Sequence, residues 1–227
     1  MKINYTLTRS NRKTVGLYVR DDSVEVRAPM KMRIAEIDRF VASKENWIIE
    51  KLALLSERRE TRENFALNYG DTVTYRNHEY PISAIEGNRI GFDNKSFYMP
   101  KNLTSEEIKH ACVKIYRWLA KRDLTKKVLD YAKNMGVVPE AIKISNAKTR
   151  WGSCSGKNSL NFSWRLIMAD DDVIDYVVIH ELAHIKELNH SERFWAIVQS
   201  MLPDYRERKE RLKQLQRKLN NEDWESV

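Results

Sequence analysis

The residues best equipped for chemistry lie in one stretch, HELAHIKELNH, from His180 to His190. Two histidines four positions apart differ by roughly 40° around an α-helix, so His180 and His184 project from one face and can chelate one ion. Glu181 sits beside the first of them. In this pattern the carboxylate serves as general base toward water that the ion activates and does not ligate the metal. On an unbroken helix His190 would lie about 240° from His184 and could not reach the same ion, so the chain must turn. Asn189 tolerates the left-handed conformation that ends helices and Ser191 can cap the next one, which predicts a break between Leu188 and Ser191.

Three imidazoles with one open position describe a catalytic site, because a structural zinc would be closed by a fourth protein ligand. Zinc suits the set better than iron or manganese, since no carboxylate is needed among the ligands, although other divalent ions are compatible with it. The other two histidines, His78 and His110, fall in a polar turn and on a charged helix face, where exposure is expected.

The elements that must position this stretch follow from periodicity. Tyr5 to Ala28 alternates with period two and predicts two or three strands, and Pro29 closes them. Ile34, Ile37, Phe40, Val41, Trp47, Ile48, Leu52 and Leu55 recur at helical spacing, and the charged run Ser56 to Asn64 reads as a solvated helix end or linker. Short β-rich segments at Thr72 to Tyr75, Tyr80 to Ala84, Arg89 to Phe92 and Phe97 to Met99 predict a small antiparallel meander. Thr104 and Glu107 form a capping box for a long helix to Gly136, with Asp123 as the point where it could break. Ile142 and Ile144 predict a strand, and Arg150 to Cys154 with Leu160, Phe162 and Trp164 predict a hairpin. Asp170 to Asp172 then start the helix that carries the histidines, Ser191 caps another, and Pro203 opens a last charged helix. Two regions result: residues 1–103, β-rich with a helical insertion, and residues 104–227, holding the metal motif.

At 227 residues, with 42% hydrophobic residues, the chain can bury a substantial core. Only Cys112 and Cys154 are present, which rules out a disulfide framework. No window has the roughly 20 apolar residues a membrane span needs, and the alternating start is unlike a signal peptide, so a cytoplasmic location and no membrane partner are expected. The net charge of +8 favours an acidic partner, but with 32% of residues charged much of it is a solvated surface. The alternative to an enzyme is a nucleic-acid-binding module with a structural metal. Against it stand Glu181 beside an open ligand position, and Glu207 and Glu210 interspersed among the basic residues of the last helix.

The blocks RWGSCS (Arg150 to Ser155), LNFSWRLIMAD (Leu160 to Asp170) and VVIHELAHIKELNHSERFW (Val177 to Trp195) resemble the YgjP-like metallopeptidase-domain family, whose metal motif is similar to that of SprT-like and other zincin peptidases. SNRKTVGL (Ser10 to Leu17) and VRAP (Val26 to Pro29) extend the resemblance more loosely over nearly the whole chain. It implies an α+β fold in which a zincin-like metal helix packs on a small antiparallel sheet, with the edge of the Arg150 to Ser153 stretch running alongside the cleft. It also implies Zn2+ and a peptide substrate. Glu187 stands where metzincins place a glycine, which moves the turn toward Asn189 and argues against that group.

Members of the family have also been described as pyrophosphatases acting on UTP, a reading with a physical footing here. Arg9, Arg12, Lys13, Arg150 and Lys157 could pair with a polyphosphate while a metal polarises phosphorus. The substrate-binding candidates are therefore Arg150, Trp151, Ser153, Lys157, Arg12 and Lys13, for a peptide or a nucleotide. Arg150 and Trp151 can equally pack together across a sheet, and Cys154 reads as a small buried apolar residue.

Overall fold

The computed structural model describes residues 3–20 and 22–224. The chain divides into two compact units: one holds the chain up to Phe65 together with Asn220–Asp223, and the other runs Ala66–Leu219 and takes in Trp224.

In the first unit the alternating segment forms β1 (Thr6–Ser10), β2 (Gly16–Arg20) and β3 (Ser23–Pro29), ordered β1-β3-β2. The central strand pairs parallel with β1 and antiparallel with β2. Its inward residues Val24, Val26 and Ala28 are buried against Ile37 and Val41 of α1 (Ile34–Ala42) and Ile48 of α2 (Glu45–Glu63). The charged run after Ser56 is the solvated end of α2, because the helix continues to Glu63 with Ile48 as its buried residue.

The second unit begins with β4 (Thr72–Tyr75), β5 (His78–Ile85), β6 (Gly91–Phe92) and β7 (Phe97–Pro100). They are ordered β4-β5-β7-β6, which corrects the expected antiparallel meander. The first half of β5 pairs antiparallel with β4, while its second half, from Ile82, pairs parallel with β7, so β6 docks outside β7.

Helix α3 (Ser105–Met135) starts at the Thr104 capping box and ends at Gly136 with φ of 63°, and it is continuous through Asp123. The reason lies in where that carboxylate goes. It accepts hydrogen bonds from the hydroxyl of Tyr75 (2.5 Å) and the guanidinium of Arg122 (2.6 Å), and Arg76 approaches to 3.3 Å, so it does not compete for the helix backbone.

Three strands follow: β8 (Ala141–Ser145), β9 (Gly152–Cys154) and β10 (Ser159–Ser163), ordered β8-β10-β9. The predicted hairpin is the antiparallel pair β9 and β10, turned at Asn158 with φ of 58°. Because β8 joins β10 in parallel, the sheet is mixed where an antiparallel one was expected. This leaves β9 as an edge strand with β10 on one side only.

A short 3-10 helix (Trp164–Met168) leads into α4 (Asp171–Ala183), followed by α5 (Glu192–Met201) and α6 (Tyr205–Leu219). Val173, Ile174, Val177, Val178, Ile179 and Leu182 of α4 are all buried, and the helix packs against α3, α5, α6 and β9. A helix apolar around its circumference belongs inside a core, and its few polar side chains are thereby held in place. The α+β architecture stands, and no helix among the described residues is long and apolar enough to cross a membrane.

Candidate metal centre

His180 lies in the last turn of α4, Glu181 beside it, and His184 caps the helix. The helix stops earlier than the sequence suggests, at Ala183 and not beyond Leu188. Its last turn tightens through bonds from the Ile185 and Lys186 amides to the Leu182 and Ala183 carbonyls, and His184 Nδ1 bonds the Glu187 carbonyl oxygen at 3.1 Å. Asn189 does not adopt the left-handed conformation. Its Oδ1 accepts a hydrogen bond from the Ser191 amide (3.2 Å), and Ser191 Oγ in turn caps α5 through the Phe194 amide. The turn built this way returns His190 to the other two histidines.

One ligand atom from each of His180, His184 and His190 lies within 4.8 Å of the others. The Nε2 atoms of His180 and His190 are 3.1 Å apart. Nitrogens sharing one tetrahedral zinc stand about 3.3 Å apart, given a Zn–N bond of about 2.0–2.1 Å. His184 has Nδ1 engaged by a backbone carbonyl, the arrangement that orients a ligating imidazole and leaves Nε2 for a metal. Burial, then the neighbouring His184, His190 and Lys209, push the His180 imidazole down to about 3, and burial also lowers His190. Both rings therefore favour the neutral form a metal requires. The three residues fit a divalent ion on spacing, orientation and protonation.

Glu181 is 6% exposed, and burial pushes its carboxyl up to about 7, with the Arg150 guanidinium pulling the other way. Across from it runs β9. A Cβ at Gly152 would stand 2.6 Å from Glu181 Cγ, so glycine lets the strand backbone come against this side chain. Cys154, two residues on and on the same face, is near enough for the Glu181 charge to raise its thiol, with burial as the larger cause.

An aromatic wall closes the other side. Phe194, fully buried, has its ring centroid 4.9, 4.5 and 4.8 Å from those of His180, His184 and His190. Trp195 stacks on His190 at 5.6 Å and on Tyr205 at 5.2 Å.

These observations bear unevenly on the other candidates. Arg150 is exposed and close to Glu181. Ser153 alternates to the face of β9 opposite Gly152, and Trp151 offers its carbonyl to the Ser163 amide at 2.9 Å. Lys157 is exposed in the turn beyond β9. Arg12 and Lys13 belong to the first unit, between β1 and β2, where the Arg12 guanidinium lies over Gly16. His78 and His110 are exposed, as expected. Gly152, Phe194, Trp195 and Lys209 were not singled out by sequence reasoning. The closeness of Phe194 and Trp195 to His190 along the chain was the available signal.

A family model for the YgjP-like metallopeptidase domain matches residues 13–215. The chain belongs to the YgjP-like family. Among solved structures, this YgjP-like chain is similar to the metallopeptidase zymogen of Pyrococcus abyssi abylysin, at 23% identity over 44% of this chain and 97% of that one, with a TM-score of 0.38. It is similar also to the zymogen of Methanocaldococcus jannaschii jannalysin, at 22% identity over 40% and 95%, with a TM-score of 0.37. No curated protein matches the sequence.

Proposed function

We propose that this YgjP-like protein is a zinc-dependent peptidase in which His180, His184 and His190 hold the ion and Glu181 is the general base. The observation that carries this reading is a buried carboxylate, adjacent to three converging imidazoles, set against the open edge of β9 at Gly152. A zinc ion held there supplies a Lewis acid that polarises the scissile carbonyl and acidifies water.

The chain's own residues do the rest. The edge of β9 offers backbone groups to an extended peptide, which aligns it by strand addition beside Glu181. The Glu181 carboxylate takes a proton from the attacking water and holds it on an oxygen. A carboxyl that burial tunes to about 7 can then release that proton to the departing amine. Arg150, exposed beside Glu181, keeps the carboxylate form accessible and is placed to meet substrate. Phe194 and Trp195 exclude water from the far side of the imidazoles.

The test is Glu181→Gln. Zinc content should stay equal to that of the wild type while hydrolysis of an unfolded protein substrate falls by about 10²–10⁴-fold. Unchanged turnover would remove Glu181 from the chemistry. A second arm offers nucleoside triphosphates with and without chelator, because an exposed arginine beside the site also suits a polyphosphate. Pyrophosphate release without peptide cleavage would replace the peptidase reading with a nucleotide pyrophosphatase.

A further inference from the structure

Most charged side chains of α6 are engaged. Arg208 bonds the Asp204 carboxylate (3.0 Å) and the Asp172 carbonyl (2.9 Å), Arg211 holds the Asp170 and Asp172 carboxylates, and Lys213 pairs with Glu210 at 2.6 Å. Lys209 differs. Among the described residues it has no ion pair or hydrogen bond, and its one contact is with Trp195, whose ring centroid lies 5.3 Å from Nζ.

Its place on the helix is also unlike that of a solvated lysine. Tyr205, Lys209 and Leu212 fall on one stripe at spacings of four and three, and Tyr205 and Leu212 are buried where α6 packs on α4. The exposed ammonium therefore stands beside the imidazoles. Its charge is one cause of the lowered basicity of both His180 and His190, after burial and the neighbouring histidines.

An uncompensated cation next to imidazoles that bind a dication raises the electrostatic energy of the loaded site, and an anion lying between them lowers it. A tryptophan face holds an ammonium in position without neutralising it. Arg150 is the corresponding unpaired cation on the Glu181 side: its charge acts on Glu181, whereas that of Lys209 acts on His180 and His190. We infer that Lys209 determines specificity by receiving a carboxylate of the bound peptide, from an acidic side chain beside the scissile bond or from the C-terminus. The inference rests on the peptidase reading and deepens it.

The test uses binding, so that turnover is not the only readout. Zinc-loaded Glu181→Gln protein is titrated calorimetrically with acetylated hexapeptides of one sequence. They carry aspartate or asparagine after the central bond, and a free or amidated C-terminus. The carboxylate-bearing member of one pair should bind about tenfold tighter than its neutral counterpart, and the pair that shows it identifies the source. Adding Lys209→Met, which keeps the stem over Trp195, should abolish that difference, and adding Lys209→Arg should retain it. Equal binding of charged and neutral peptides, a preference that survives Lys209→Met, or no binding of any peptide would overturn the inference. Cleavage by the otherwise unaltered enzyme, measured alongside, separates the two readings. Turnover without discrimination rejects the role of Lys209 alone, and discrimination without turnover rejects the peptidase reading alone.

Discussion

Gly152 leaves the space that the Glu181 carboxylate occupies: a methyl group on residue 152 would stand 2.7 Å from Oε1 and 2.8 Å from Cδ. Either the carboxylate swings away or β9 retreats. With Glu181 buried and β9 paired to β10, neither is free of cost. Gly152→Ala should lower peptidase kcat/KM by about 10²-fold, the penalty of displacing a catalytic group by roughly 1 Å. Its stability cost should be no more than about 1–3 kcal/mol. Cleavage assays paired with thermal melts check this, and full activity in Gly152→Ala would show that the carboxylate need not sit where the structure has it.

The buried carboxyl and the buried imidazole have opposite pH signatures in metal-free protein. Glu181, raised from 4.5 to about 7, contributes stability that is complete below pH 4.5 and is lost as pH rises toward 7. His180, lowered from 6.5 to about 3, contributes stability above pH 6.5 that is lost as pH falls toward 3. Glu181→Gln removes only the first effect. In the presence of chelator, the melting temperature of Glu181→Gln relative to wild type should therefore climb between pH 4.5 and 7. A difference that stays flat across that window would mean the carboxyl is not held in its neutral form by the fold.

The spacing of His180, Glu181 and His184 was legible in the sequence because helical periodicity fixes direction locally. The return of His190 was legible by exclusion, since a continuing helix would have carried it away. Where the chain turns was not, because that depends on a ring nitrogen reaching the Glu187 carbonyl oxygen, and side-chain identities do not mark backbone acceptors. The parallel pairing of β5 with β7 was hidden for a related reason: alternation reports which face is buried and says nothing about the partner strand. Gly152 looks like any strand glycine until the α4 side chain that needs its missing Cβ is placed beside it. Lys209 was submerged in a helix rich in charge, and only the absence of a carboxylate partner among the described residues separates it from Arg208 and Arg211.

Phe194 touches all three imidazoles and has no polar atom to offer, so its contribution to the centre is steric. The rings of His180 and His184 are held partly by the backbone of α4, but His190 comes from a turn and depends on its neighbours for orientation. Phe194→Leu keeps the site apolar while removing the flat wall against which the rings lie. The substitution should cost about 1–2 kcal/mol of stability, the lower part of the range for truncating buried aromatic rings. It should also weaken zinc binding by about tenfold or more, the usual effect of disturbing what orients metal ligands. Competition against a chromophoric chelator measures the affinity and a melt without zinc measures the stability. A lowered melting temperature with unaltered affinity would reduce Phe194 to a filler of the core and leave His190 positioned by its turn alone.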